Sequence, residues 1–143
     1  MLPTSNFSSK KPYRSLLAGA SMGLLALTIS QTAAAITTKN VTYTVDNQAY
    51  EGYYAKADKP YAPFILLIHD WDGLTDYERK RADMLANEGY NVLAADMFGQ
   101  GIRPTSVEEN KRLTGELYDE RNKMRRILQG ALNAGRLEGN DVR

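Results

Sequence analysis

The segment IHDWDGLTDYE, residues 68–78, concentrates the side chains of this sequence that are most able to do chemistry. It contains the single histidine of the chain, His69, and its single tryptophan, Trp71. Its carboxylates are those of Asp70, Asp72, Asp76 and Glu78. Such a set could bind a metal ion, could use the histidine as a general base, or could form a loop that positions chemistry supplied from elsewhere.

Metal binding is not favoured by the pattern of these residues. The dyad His69–Asp70 is typical of metal-dependent phosphohydrolases, but those sites use several histidines and this chain has 1. A calcium loop of the D-x-D-x-D-G type is also a poor match, because Gly73 follows Asp70 too early. The chain has no cysteine, which removes thiolate ligands and disulfides. We therefore expect no metal and no cofactor.

A nucleophile for His69 is missing from the surrounding sequence. The pattern G-x-S-x-G occurs at Gly19–Gly23, around Ser21, and S-x-x-K occurs at residues 8–11. Both matches lie in the N-terminal leader, where the strand-to-helix turn that a nucleophile elbow needs is not expected. Since a general base needs a nucleophile within hydrogen-bond reach, His69 is interpreted as a structural histidine at the end of a strand.

Residues 1–35 differ in character from the rest of the chain and are predicted to be a signal peptide. Basic residues, an apolar run and a small-residue segment follow one another: Lys10, Lys11 and Arg14, then residues 16–29, then residues 33–35. This order is that of a secretory leader, and the apolar run is shorter than the roughly twenty residues that span a membrane. We expect cleavage after Ala35 and a periplasmic or secreted location. An uncleaved membrane anchor is the alternative.

Residues 36–143 alternate strand-like and helix-like segments. Alternating apolar residues from Val41 to Val45, a turn at Asp46-Asn47 and an aromatic run at residues 50–54 predict a β-hairpin. FILLI at residues 64–68 is an unbroken apolar run, which suits a strand buried on both faces. NVLAAD at residues 91–96 predicts a second buried strand.

Helices are predicted between and after these strands. Thr75 and Glu78 have the spacing of a capping box and start a helix over residues 76–88, before Gly89. Ser106 and Glu109 repeat that spacing. A long helical face then follows, with an expected interruption at Gly115; its members are Leu117, Arg121, Met124, Leu128, Ala131 and Gly135.

The order hairpin, strand, helix, strand, helix contains one β-α-β unit, so it predicts an α/β fold with a parallel sheet. In such sheets ligands bind beyond the carboxyl ends of the strands. Two loops emerge there, at residues 69–74 and 97–104. Backbone N–H groups of the first loop could face a developing oxyanion, which needs geometry rather than a particular side chain.

The run FILLIHDWDGLTDYERKRADMLANEGYNVLAADMFGQG, residues 64–101, resembles the dienelactone hydrolase family of α/β-hydrolases. In that family a buried strand ends in a histidine and an acidic residue, and an aromatic glycine turn, a helix and an A-x-D-x-[YF]-G strand end follow. TYTVDNQAYEGYYA, residues 42–55, is similar to the family's N-terminal strands. NDVR, residues 140–143, is similar to the turn before its nucleophile strand.

The resemblance implies an esterase-like hydrolase with a Cys-His-Asp triad, in the chain order cysteine, aspartate, histidine, entirely beyond Arg143. Asp70 matches the acidic residue, usually glutamate, that contacts the resting nucleophile. The amide of Trp71 matches one oxyanion-hole donor. Gln100 stands where the founding enzymes have an arginine for the substrate carboxylate, and Arg103 is the candidate substitute.

The sequence therefore predicts an α/β-hydrolase-type, mostly parallel sheet with flanking helices, truncated before the nucleophile strand. Residues 36–143 would be the N-terminal part of an acyl hydrolase for small esters or lactones, inactive by themselves. Neither nucleic acid nor a stable membrane association after leader cleavage is expected. The alternative is a non-catalytic α/β binding or interaction domain that pairs its open sheet edge with a partner.

Overall fold

The computed structural model describes residues 35–142 of the chain. The Ser21 motif and residues 1–34 of the predicted signal peptide lie outside the described residues. The elements are strands β1 Thr37–Val45, β2 Gln48–Lys56, β3 Phe64–Ile68 and β4 Asn91–Ala95, and helices α1 Asp76–Asn87, α2 Val107–Asp119 and α3 Arg121–Leu137. No helix among residues 35–142 combines the length and the hydropathy needed to cross a membrane.

The four strands form one sheet in the order β1-β2-β4-β3. β3 and β4 are parallel and are joined through α1, as the predicted β-α-β unit requires. β1 pairs with β2 and β2 with β4 in the antiparallel sense. The α/β class is confirmed, and the sheet within the described residues is mixed rather than mostly parallel.

The predicted hairpin is confirmed between β1 and β2. Its two turn residues, Asp46 and Asn47, have φ of 50° and 62°, the left-handed conformation that a two-residue turn needs to match the strand twist. Tyr43 and Tyr50 face each other in the register, and their rings stack with centroids 5.6 Å apart.

Helices cover both faces of the sheet, with β4 at its centre. Leu93 and Ala95 belong to the apolar cluster on the side of α2 and α3, whereas Val92 and Ala94 belong to the cluster on the side of α1. All four side chains are fully buried. This alternation follows from the two-residue period of a strand, and the prediction of a buried second strand is confirmed.

The expectation that β3 is buried on both faces is wrong for the described residues. Its first four residues are half-buried, and Ile68 is 53% exposed. The reason is the place of β3 at the edge of the sheet, where only β4 pairs with it. Its apolar sequence suits a central strand, but its surroundings here are those of an edge.

Two helix predictions at α1 and α2 have different outcomes. At α1 the capping box is complete, because the buried carboxylate of Glu78 accepts from the Thr75 N–H at 2.8 Å while the Thr75 hydroxyl caps the first turn. At α2, Ser106 caps the helix but Glu109 accepts from the Thr105 N–H, so the second box is half formed.

The break between α2 and α3 falls at Glu120, not at the expected Gly115. Glu120 has ψ of 61°, outside the helical region, whereas Gly115 lies inside α2. A single glycine costs a helix only ~1 kcal/mol, which is too little to end it. Gly135 in α3 has a packing role, because a Cβ there would lie 2.5 Å from the Phe64 ring, so the glycine lets α3 approach the start of β3.

Candidate functional site

The loops that follow β3 and β4 lie side by side, because the two strands are parallel neighbours. We call residues 69–74 the first loop and residues 96–104 the second loop. Gly73 allows their close contact: its φ is +86°, and a Cβ there would lie 3.3 Å from the Phe98 ring and 3.4 Å from Pro104. The predicted convergence of two loops beyond the strand ends is therefore present.

His69 connects the two loops. Its Nε2 accepts a hydrogen bond from the Met97 N–H at 3.1 Å, and its Nδ1 lies 2.6 Å from the Asp70 carbonyl oxygen. This pairing requires the neutral tautomer with the proton on Nδ1. The ring is buried and packs 4.7 Å from the ring of Phe98. Both nitrogens are engaged with backbone, which supports the structural interpretation of this histidine.

Asp96 organises the second loop from a fully buried position. Its Oδ1 accepts from the N–H groups of Phe98 and Gly99, both at 3.0 Å, and its Oδ2 accepts from the Glu51 N–H at 3.1 Å. Its carbonyl oxygen accepts from the hydroxyl of Tyr43 at 2.6 Å. The aspartate of the A-x-D-x-[YF]-G pattern thus holds the loop against β2, a role that sequence analysis did not identify.

Asp70 and Asp72 form a carboxyl pair in the first loop. Hydrogen bonds from the Asp72 side chain and from the Asp72 N–H lower the pKa of Asp70, and the Trp71 N–H adds a smaller contribution. The same side-chain hydrogen bond, followed by burial, raises the pKa of Asp72. The two pKa values shift in opposite directions because Asp72 donates this hydrogen bond as a protonated carboxyl and Asp70 accepts it as a carboxylate. As the pH rises, Asp70 therefore ionises before Asp72.

Replacing Asp72 with alanine is expected to raise the pKa of Asp70 toward its ordinary value. Where Asp70 titrates, Asp72 still holds its proton because its own pKa is raised, so the variant loses a hydrogen-bond donor and not a negative charge. Carbon NMR titration of the carboxyl groups measures this shift. Asp72→Asn is the matched control, since its amide can still donate and should keep the pKa of Asp70 low. An unchanged pKa in the alanine variant would contradict the pairing.

A cavity of about 570 Å³ opens between the two loops and the helices α2 and α3. From the loops and the end of β3 it is lined by Ile68, His69, Asp70, Trp71, Met97 and Phe98. From the helices it is lined by Thr114, Leu117, Tyr118, Met124 and Leu128. Its volume lies in the range of small-molecule sites, which are mostly apolar with a few polar groups.

Two of the predicted site residues border this cavity and two do not. Asp70 and Trp71 line it. Gln100 instead donates to the Glu51 carboxylate at 3.2 Å. Arg103 donates to the Ile102 carbonyl at 2.7 Å and lies 3.8 Å from the Asp96 carboxylate. The structure therefore directs the two candidate carboxylate ligands away from the cavity.

Only some of the helical residues that line the cavity were identified from the sequence. Leu117, Met124 and Leu128 were recognised as members of one helical face, without a role at the site. Thr114 and Tyr118, one turn apart in α2, were missed. The available signal was the position of Thr114 between Leu113 and Leu117, where a polar residue interrupts an inward-facing stripe.

The arrangement is that of an α/β protein with a cavity beyond the carboxyl ends of two parallel strands, the place where such sheets bind ligands. A sequence model of the dienelactone hydrolase family matches residues 50–141. Since this match covers more than half of the chain, the chain belongs to the dienelactone hydrolase family. A search among curated proteins finds no match.

Two solved structures show the same likeness. The protein m3DLH is 26% identical with a TM-score of 0.66, and a dienelactone hydrolase-like promiscuous phosphotriesterase from metagenomic libraries is 29% identical with a TM-score of 0.64. Each alignment covers 70% of this chain and 42% of the other protein. The chain thus spans less than half the length of these relatives.

Proposed function

We propose that this chain is the N-terminal part of a carboxylic ester hydrolase that acts on small esters or lactones. The observation that carries the proposal is the junction of the two loops, where an apolar cavity is bordered by the Asp70 carboxylate and by Trp71. Membership of the dienelactone hydrolase family supports the reaction class.

In this proposal the first loop supplies the oxyanion side of the site. The Trp71 N–H is the donor that faces the developing charge, as the family resemblance implies. This N–H lies close enough to the Asp70 carboxylate to help lower its pKa, so an oxyanion would take the place of that carboxylate as its partner. Before the reaction, Asp70 would contact the resting nucleophile, as the family resemblance implies.

The nucleophile, its base and the orienting acid are proposed to come from residues that complete the sheet. The half-exposed apolar side chains of β3 and its open edge support a further strand at that edge. The 42% coverage of the solved relatives is consistent with a larger protein. We also propose export to the periplasm or outside the cell, on the basis of the leader at residues 1–35.

The decisive experiment is to read and express the coding sequence past codon 143. We expect an apolar strand within about ten residues, a common connection length, then G-x-C-x-G, and later an aspartate and a histidine in that order. The restored protein should hydrolyse p-nitrophenyl butyrate, and exchange of the elbow cysteine for alanine should abolish turnover. An extended frame without a cysteine or serine elbow would end the hydrolase assignment.

Residues 36–143 expressed alone provide the comparison with the alternative of an independent binding domain. We expect no ester turnover and a poorly cooperative melt, because a domain of this size has only ~5–15 kcal/mol of net stability and each large apolar side chain left exposed forgoes ~1.5–3 kcal/mol. A sharp melt with dispersed amide NMR signals, together with an inactive extended protein, would favour the binding domain.

A further inference from the structure

The buried ring of His69 has one hydrogen-bond partner in each loop. Its Nδ1 lies 2.6 Å from the carbonyl oxygen of Asp70, and its Nε2 lies 3.1 Å from the backbone nitrogen of Met97. Because a backbone N–H can only donate, Nε2 carries no proton, and Nδ1 is the nitrogen that donates to Asp70. The contact with the Phe98 ring adds packing to these two hydrogen bonds, so the orientation of the imidazole is well defined.

These two hydrogen bonds do not depend on what lies beyond the open edge of β3. Both partners of the ring belong to the described residues, and His69 is only 8% exposed although β3 pairs on one side alone. A further strand at that edge would add to this burial and would leave the contacts with Asp70 and Met97 in place. We therefore expect the same ring orientation and tautomer in the extended protein.

The Asp70 carbonyl that His69 contacts belongs to the same peptide group as the Trp71 N–H. This peptide is trans, and a trans peptide is planar, with its C=O and its N–H pointing in opposite directions. A hydrogen bond that directs the carbonyl toward His69 therefore directs the N–H away from the imidazole. Rotation of the peptide plane would leave the buried Nδ1–H without an acceptor, which is costly.

The opposite side of this peptide faces negative charge at the cavity. Hydrogen bonds from the Asp72 side chain and N–H lower the pKa of the Asp70 carboxyl group, and the Trp71 N–H adds to this effect. The Asp72 N–H donates to Asp70 Oδ1 at 3.4 Å, and Asp70 lines the cavity. The Trp71 N–H thus lies on the side where an oxyanion donor is needed, because such donors are aimed at the place where negative charge develops.

We propose that His69 is the positioning residue of the oxyanion donor: its Nδ1–H holds the Asp70 carbonyl and thereby keeps the Trp71 N–H directed toward the cavity. The Met97 N–H, by occupying Nε2, keeps the imidazole in the tautomer that this role requires. The hydrogen bond to the carbonyl also polarises the peptide group, which strengthens its N–H as a donor. The proposal rests on the proposed hydrolase function, and the imidazole itself transfers no proton in it.

Two exchanges of His69 in the extended protein separate its two hydrogen bonds. The NH₂ group of asparagine lies near the position of Nδ1, so His69→Asn can still donate to Asp70. The amide of glutamine lies near the position of Nε2, so His69→Gln can replace only the contact with Met97. We expect His69→Gln to lower kcat for p-nitrophenyl butyrate about 10- to 100-fold with little change in KM, and the kcat of His69→Asn to be about tenfold higher than that of His69→Gln. Equal kcat values in the two folded variants would overturn the proposal.

A double variant tests whether His69 acts through the Trp71 N–H. Trp71→Pro removes this N–H, so a residue that only orients it has nothing left to orient. We therefore expect His69→Gln to lower kcat at most about twofold further in the Trp71→Pro background, since exchanges that remove one shared interaction are not additive. The same loss of kcat in both backgrounds would show that His69 acts through another group and would contradict the proposal.

NMR distinguishes failure of this proposal from failure of the hydrolase function. In the wild-type extended protein, nitrogen resonances of the His69 ring should show a protonated Nδ1 and an unprotonated Nε2, a measurement that requires no variant to fold. The carbonyl carbon resonance of Asp70 should move upfield in His69→Gln and much less in His69→Asn. A ring protonated at Nε2, or an Asp70 resonance unaffected by His69→Gln, would overturn the proposal. The expected resonances in a protein without ester turnover would support the orientation of the peptide by His69 and overturn only the hydrolase function.

Discussion

The extended protein of the proposed hydrolase is expected to lose about 10²- to 10³-fold in kcat on Trp71→Pro, the typical effect of removing one oxyanion donor. Proline lacks the N–H, so the substitution deletes the proposed donor itself, which no other exchange at this position does. The position is suited to the test because Trp71 lies in an exposed part of the first loop and its side chain is 43% exposed. Little packing is therefore lost with the indole.

Trp71→Ala is the matched control for this result. It removes the same indole but keeps the N–H, so we expect its effect mainly in KM, since the side chain lines the cavity. Circular dichroism and the melting curve must first show that the proline variant is folded, because proline also restricts the preceding Asp70. A folded proline variant with the kcat of the wild type would refute the oxyanion role and leave the hydrolase assignment standing.

The Asp70 carboxylate lies beside the proposed oxyanion donor. The same group that contacts the Trp71 N–H in the resting site also presents negative charge to the cavity. In the proposed reaction, the Trp71 N–H would turn from this carboxylate to the oxyanion.

The features of the fold that depend on local interactions were predictable from the sequence. The hairpin was predictable because Asp46 and Asn47 tolerate the left-handed conformation. The start of α1 was predictable because Thr75 and Glu78 satisfy each other across one turn. The β-α-β unit followed from the order of such elements. In each case the residues that decide the structure lie within a few positions of one another.

Features that depend on residues distant in the sequence were not predictable in this way. The exposure of β3 is set by which strand lies beside it, and its own apolar sequence cannot show that. Arg103 was a plausible carboxylate ligand until its contacts with Ile102 and Asp96 were known. Thr114 and Tyr118 became site residues only because α2 packs beside the second loop. The helix break at Glu120 likewise had no glycine or proline to mark it.

Asp96→Ala is expected to destabilise the full-length protein by ~3–5 kcal/mol, the range for removing one partner from a buried charged network. The fully buried carboxylate accepts from three backbone N–H groups, those of Glu51, Phe98 and Gly99. Alanine leaves these donors unsatisfied, and each such group costs ~1–3 kcal/mol. Urea denaturation measures the loss of stability, as a lower midpoint with an unchanged slope of the free energy of unfolding against urea concentration.

Asp96→Asn removes the negative charge but nearly keeps the shape of the side chain. Its amide oxygen can still accept from Phe98 and Gly99, but its NH₂ group would face the Glu51 N–H, so we expect a smaller loss of ~1–3 kcal/mol. Asp58→Asn, at an exposed carboxylate, should stay within ~0.5 kcal/mol of the wild type. The loss of stability should be largest for Asp96→Ala, smaller for Asp96→Asn and smallest for Asp58→Asn. This order follows the number of N–H donors that each variant leaves without an acceptor. If the alanine variant were as stable as the surface control, Asp96 would not be what holds the second loop to β2, and the position of Phe98 against His69 would need another cause.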